Sequence, residues 1–214
     1  MPIKLVIFDV DGTILQSFGW QFIHQHLGTW DAAKKYSDQF FSNRISYEEW
    51  ARLETALWKG QTIAKIEEII EQMPYTTGAK ETLAILKRRG IGTYLLSAGL
   101  SQVAERIQKE TLIDGYTANT LLAKDGFLTG EVEVNVSFLS KDRNLPHILR
   151  SFNVTQDECA AVGDDPSLVP LFKKVALAIA FNPTSIEVEE NADVTVRSRD
   201  LREILPYLLQ NNMN

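Results

Sequence analysis

The chain has a single cysteine, Cys159, so no internal disulfide can form, and this usage suits a reducing cytoplasm. Cations are scarce: 22 Lys and Arg stand against 28 Asp and Glu, a formal charge of −6. That balance argues against a nucleic-acid groove or an anionic membrane surface as the main partner. No apolar run is long enough to span a bilayer. No signal peptide is expected, because Met1-Pro2 leads directly into an apolar strand. Internal repeats and low-complexity tracts are absent, and 211–214 is expected to be a frayed tail. What remains is 214 residues, 44% of them hydrophobic, enough for one packed domain with a modest insertion.

The opening of the chain is its most informative stretch. Ile3 to Phe8 is apolar and rich in β-branched residues, which predicts a buried strand. It runs into Asp9-Val10-Asp11-Gly12-Thr13, so two carboxylates sit at the strand's carboxyl end and Gly12 supplies the turn. An ordinary solvated Asp-Gly turn would look the same. Charge is costly to bury there without a counter-charge, and in an open parallel sheet that edge binds ligands.

Strand and helix patterns then alternate along the chain. From about Ser17 to Tyr75 the spacing is helical, with Ser46-Tyr47-Glu48-Glu49 as a capping box and Gly60 as a helix stop. All four tryptophans fall in this block. Beyond it, strands are expected at Ile91–Leu96, Tyr116–Leu122, Cys159–Val162, Val175–Ala180 and Asp193–Val196. Helices are expected at Glu81–Arg89, Ser101–Lys109, Lys141–Phe152, Pro166–Lys173 and Leu201–Leu209, and Lys124-Asp125-Gly126-Phe127 is a hairpin turn. The alternation implies a parallel sheet covered on both faces, with the helical block growing from its functional edge.

Three later segments point to that same edge. Ser97-Ala98-Gly99 ends a strand before a helix, where a hydroxyl and backbone amides can hold phosphate; it also reads as a plain strand-to-helix turn. Lys141 at a helix start is poorly placed for a cation, though surface lysines are common there. Gly163-Asp164-Asp165 repeats the design of the first strand, and one of its two acids can be a helix N-cap. Acids from two strands suggest Mg²⁺, which binds carboxylate and carbonyl oxygens, water and substrate phosphate. A carboxylate attacking a phosphate dianion needs a cation between them, a lysine on the phosphoryl oxygens and a second acid for the leaving oxygen. Asp9, Mg²⁺, Lys141 and Asp11 are the candidates.

These residues, in order, resemble the haloacid dehalogenase superfamily of phosphohydrolases over nearly the whole chain. The hairpin Asp125 to Gly130, the segment Ala180-Phe181-Asn182-Pro183 and the ending Arg199 to Leu205 look like its phosphoserine phosphatase branch. The resemblance implies an α/β, three-layer Rossmann-like core with a parallel sheet (1–16 and 76–214) and a helical cap inserted after the first strand (17–75). It implies Asp9 as nucleophile through a phosphoaspartyl intermediate and Asp11 as general acid and base. Ser97, Ala98, Gly99 and Lys141 would bind the phosphate; Asp9, Asp11, Asp164 and Asp165 would surround Mg²⁺. The partner would be a small phosphomonoester, the protein a cytoplasmic monomer or homodimer.

The chain departs from that branch in places. Leu168 stands where a further aspartate is usual in the last motif. Phe18 stands for the glutamate that holds the substrate amine, and Glu54 for the cap arginine that holds its carboxylate; Arg44 or Arg52 could substitute if the helix is shifted. With Phe41 and Tyr47, these are the candidate selecting residues of an aromatic cap. The expected activity is therefore hydrolysis of a small phosphorylated metabolite other than phosphoserine, with phosphoserine phosphatase or a weakly active phosphate-binding member as alternatives. Phosphotransfer, a dehalogenase and a receiver domain are further readings; the acid pair argues against the second and the insertion against the third.

Overall fold

The computed structural model describes residues 2–210. Seven strands form one sheet in the order β4-β3-β2-β1-β5-β6-β7. They are β1 (Leu5–Phe8), β2 (Gly92–Leu100), β3 (Gly115–Lys124), β4 (Phe127–Glu133), β5 (Cys159–Gly163), β6 (Leu177–Phe181) and β7 (Val194–Val196). All neighbours pair parallel except β3 and β4. The chain leaves β1 toward β2 on one side and later returns to β5 on the other. The strand order therefore reverses at β1, which puts the ligand crevice of such a sheet just beyond Phe8.

Strand β1 is buried on both faces, as crossover helices on either side require. Alternation sends Val6 and Phe8 to one apolar cluster and Leu5 and Ile7 to the other. The second cluster is closed by Leu145, Ile148 and Leu149 of α7 (Leu145–Phe152) and by Leu168. Four helices separate β1 from the rest of the core: α1 (Gly19–Leu27), α2 (Trp30–Phe41), α3 (Tyr47–Ala56) and α4 (Ile63–Ile70). The Ser46 hydroxyl accepts from the Glu49 amide and caps α3. Trp20, Trp50, Trp58 and Ile66 of this block belong to the same apolar cluster as Phe8 and Val162. The core of the helical insertion is therefore continuous with one face of the sheet.

Sequence reading ended the second strand at Leu96. It runs on to Leu100 instead, with a register shift against β3 between Leu96 and Leu100. That irregularity lifts Ser97-Ala98-Gly99 out of the regular ladder. The helix α6 (Ser101–Glu110) follows. A short helix α9 (Ile186–Glu190) also appears where none was expected. The β3–β4 turn has positive φ at both Asp125 and Gly126, as a two-residue hairpin demands. Its tip props the helical block: Gly60 N–H donates to Leu128 O, Leu128 N–H to Gln61 O and Ile63 N–H to Gly126 O. The frayed tail expected at 211–214 lies outside the described residues.

One buried side chain ties three of these parts together. Asn119 on β3 accepts at Oδ1 from the amides of Asn135 and Val136, both at 2.8 Å. Its Nδ2 lies 2.9 Å from Ala98 O, 2.9 Å from Tyr47 Oη and 3.1 Å from Val136 O. Truncation strands those groups without water. Asn119→Ala should therefore cost about 2–4 kcal/mol of unfolding free energy, read by urea denaturation; a loss within about 0.5 kcal/mol would refute this role.

Candidate active site

Asp9 leaves β1 at the switch point and is 3% exposed. Its Oδ1 accepts from the Val10 amide at 2.8 Å, and its Oδ2 lies 2.7 Å from Lys141 Nζ. Lys141 is itself 2% exposed. It heads a 3₁₀ turn (Lys141–Asn144) leading into α7, 132 residues from Asp9 in sequence. A lysine this deeply buried requires a counter-charge. Burial alone would lower its pKa, but Asp9 and Asp165 reverse the effect and hold it above the ordinary lysine value. Burial pushes the Asp9 carboxyl up, and Lys141 opposes that shift.

Asp11 is part-exposed, and its Oδ1 accepts from the Gly19 amide at 3.1 Å. That amide is the first of α1, whose positive end favours the acid. Burial and the charge of Asp9 nevertheless push Asp11 up to about 7, the range in which a carboxyl can both give and take a proton. Gly12 turns the chain with φ +71°, and a Cβ there would lie 2.3 Å from Asp164 Oδ2. The Asp164 carboxylate is thus seated against a backbone that only glycine leaves room for. Thr13 Oγ1 donates to it at 3.3 Å, and burial, then Asp9 and Asp165, push it up to about 8. Asp165 lies beside them, its Oδ1 accepting from the Ser167 amide at 2.8 Å.

The expected phosphate-holding groups meet the same floor. Ser97 is 3% exposed, and its Oγ accepts from the Gly99 amide at 2.8 Å. A Cβ on Gly99 would stand 3.0 Å from Ser97 Oγ and 3.5 Å from Asp11 Oδ2. The Ala98 carbonyl accepts from Trp20 Nε1 (3.3 Å), Asn119 Nδ2 (2.9 Å) and Tyr47 Oη. A cavity of about 370 Å³ opens above, reaching Asp9, Asp11, Ser97, Ala98, Gly99, Lys141 and Asp165 below and Phe18, Phe41, Tyr47 and Glu54 of the helical block above. Asp164 sits beneath this floor rather than on it.

Two expectations change. Asp165 is the N-cap of the 3₁₀ turn Pro166–Leu168, as well as a cavity residue. Leu168 is fully buried in the second core, and a Cβ on Gly163 would overlap its Cδ1; it has no access to the acids. His24, which the sequence pattern does not mark as part of the site, is fully buried with Nε2 2.6 Å from Glu54 Oε2. Arg44 and Arg52 are both exposed and do not line the cavity. Cys159 is inert, since burial pushes its thiol up to about 12.

The donor set fits a hard divalent cation. Asp9, Asp11, Asp164 and Asp165 crowd together with Lys141 as the one basic residue on the cavity floor. No group of three or more His, Cys, Asp or Glu among the described residues is arranged to hold a metal ion by itself. A cation that keeps water and takes one or two carboxylates plus substrate phosphate needs none.

The raised carboxyls set a pH dependence. Folded Asp9, Asp11 and Asp164 hold protons that the unfolded chain has released, so stability present at acid pH is lost as pH climbs from about 4 to 8. In EDTA, the melting temperature should fall between pH 5 and pH 8. Mg²⁺ should raise it more at pH 8, where it no longer competes with protons, and Asp164→Asn should flatten the decline. A melting temperature that rises with pH in EDTA would contradict this.

Comparison with known proteins agrees with the geometry. The family model for haloacid dehalogenase-like hydrolases matches residues 6–173. Phosphoserine phosphatase of Methanocaldococcus jannaschii is 34% identical over 206 residues, 96% of this chain and 97% of that one. Phosphoserine phosphatase of Wolinella succinogenes is 27% identical over 96% of this chain and 100% of its own length. A substrate-bound phosphoserine phosphatase complex superposes with a TM-score of 0.86 at 32% identity, covering 97% of this chain and 99% of the other. A HAD family hydrolase from Salmonella enterica serovar Typhi, 20% identical, covers 100% of this chain and 73% of its own with a TM-score of 0.91, a likeness of fold alone. These names favour the phosphoserine alternative over the expectation of a different substrate. The chain belongs to the haloacid dehalogenase-like hydrolases, and it is a phosphatase of that family.

Proposed function

We propose that the protein is a Mg²⁺-dependent phosphomonoesterase that works through a phosphoaspartyl intermediate on Asp9. The observation that carries this is the Asp9–Lys141 pair at 2.7 Å, fully buried at the strand-order reversal with Asp11 and Ser97 on the same cavity floor. Asp9 attacks phosphorus in line with the leaving alkoxide. Asp11, poised near neutrality, protonates that alkoxide and later takes a proton from the attacking water. Lys141, Ser97 and the Ala98–Gly99 backbone hold the phosphoryl oxygens. Asp9, the Asp11 carbonyl and Asp164 would hold Mg²⁺, with Asp165 beside them, and the ion would screen the repulsion between nucleophile and phosphate. Residues 17–75 act as the cap, with Phe18, Phe41, Tyr47 and Glu54 facing the leaving group. The solved relative titled as a phospho-aspartyl intermediate analogue, 32% identical with a TM-score of 0.85, supports this chemistry.

Phosphoserine is the substrate to which the relatives' names point, and 34% identity across almost the whole chain makes it the second reading to test. We also propose a cytoplasmic location, a reading that the single buried cysteine supports; no helix among the described residues is long and apolar enough to cross a membrane.

With p-nitrophenyl phosphate and Mg²⁺, turnover is expected, and EDTA should abolish it reversibly. Asp9→Asn should lower kcat by at least about a thousandfold with little change in melting temperature. Full activity in that variant would remove Asp9 as the nucleophile.

A further inference from the structure

The wall of the cavity above the phosphate site has its own chemistry. Glu54 is fully buried there and lines the cavity. Its Oε1 accepts from Ser37 Oγ at 3.2 Å, and its Oε2 stands 2.6 Å from His24 Nε2. The state of His24 decides the charge of this pair. Trp58 Nε1 lies 3.1 Å from His24 Nδ1. An indole N–H can only donate, so Nδ1 is the accepting nitrogen and the ring's one proton is on Nε2. Thr29 Oγ1, 2.7 Å from the same Nδ1, can donate as well. With Nδ1 as the acceptor, Nε2 is the ring nitrogen that faces Glu54 Oε2, and Lys141 is the only lysine or arginine on the lining. A carboxylate buried with uncharged partners alone is expensive unless something positive comes close.

Much of the rest of the wall is aromatic, beside the uncharged polar side chains of Gln21, Ser37 and Thr184. Trp20, Phe40, Tyr47 and Trp50 pack on one another with centroids 4.8–5.8 Å apart. The indole N–H groups of Trp20 and Trp50 are already given to Ala98 O and Ser37 Oγ. The cavity is therefore offered π-systems without their polar handles, and ring faces carry negative potential. Lys141 is the one basic residue on the lining, and Asp9 occupies it. A carboxylate on the leaving group would find no counter-charge; an ammonium would find the buried Glu54 carboxyl group and aromatic faces together.

We propose that this cavity selects phosphomonoesters whose leaving alcohol carries an ammonium group and no carboxylate, that is, amino-alcohol phosphates with a primary or quaternary amine. The proposal rests on the phosphatase reading and names its substrate class. Glu54 acts as a specificity-determining residue through its charge at short range in a low-dielectric wall, and the rings enclose the ammonium and its alkyl groups.

The test compares kcat/KM of the wild-type protein, with Mg²⁺, on phosphocholine and on 3,3-dimethylbutyl phosphate, its uncharged isostere. Phosphoethanolamine and phosphoserine, which differ only by a carboxylate, form the second pair, and p-nitrophenyl phosphate reports catalysis itself. A preference of about tenfold or more for the cationic ester, carried mainly by KM, and a preference for phosphoethanolamine over phosphoserine are expected. Glu54→Gln should shrink the first ratio; the wild-type pairs stand even if that variant fails to fold. Equal rates on the isosteres, or phosphoserine as the better ester of its pair, would overturn the proposal while hydrolysis of p-nitrophenyl phosphate left the phosphatase reading intact. Failure to hydrolyse any of the five esters would overturn both.

Discussion

Burial of several carboxylates at one sheet edge is the constraint on which this structure turns. Asp9, Asp11 and Asp164 are held near one another by strands β1 and β5, which pair directly, so their repulsion cannot relax by moving apart. Each is pushed above its ordinary pKa, chiefly by burial. Lys141 supplies one positive charge against them. That imbalance is what a divalent cation and a phosphoryl group would complete under the proposed function, and the cost of assembling it is met by the packed apolar clusters on the two faces of the sheet. The charge therefore sits where the scaffold is stiffest, which is also where reacting groups need to be held.

The helical block is fastened to this floor by hydrogen bonds to the segments that line it. Ala98 O receives the donors of Trp20, Tyr47 and Asn119, and Asp11 receives the first amide of α1. Residues that would judge the leaving group are thus joined directly to those that would bind phosphate and move its proton. Displacing the block would break these bonds at roughly 1 kcal/mol each and would expose the apolar cluster that Trp58 and Ile66 share with Phe8. The position of the helical block and the geometry of the Ser97–Gly99 segment are consequently coupled.

Much of the floor was legible in the sequence because each acid follows an apolar strand, and strand ends on one sheet converge. Asp9, Asp11, Ser97 and Asp164 carry that signal locally. Lys141 was legible only as a badly placed cation, which its buried pairing with Asp9 explains. Asn119 was not legible: its value lies in partners from three other segments, 16 to 72 residues away. The pairing of His24 with Glu54 escaped for the same reason, since nothing in either helix alone shows that they face each other. The continuity of the helical block's apolar residues with one face of the sheet was hidden too, because periodicity shows that a helix face is buried but not what buries it.

Leu168 shows how the end of β5 manages with one acid fewer than its relatives were expected to have. Its side chain occupies the space that Gly163 leaves by lacking a Cβ, and it is sealed in the second core. An aspartate in that place would face apolar neighbours without a donor. The work near the strand end falls to the adjacent pair instead: Asp164 turns beneath the floor to Gly12 and Thr13, while Asp165 caps the following turn and still reaches the cavity. Successive residues leaving a strand point to opposite sides, so two adjacent acids can serve two positions that one acid and a distant partner would otherwise share. The negative charge at the site is thereby kept while the helix beyond it is free to pack through leucine.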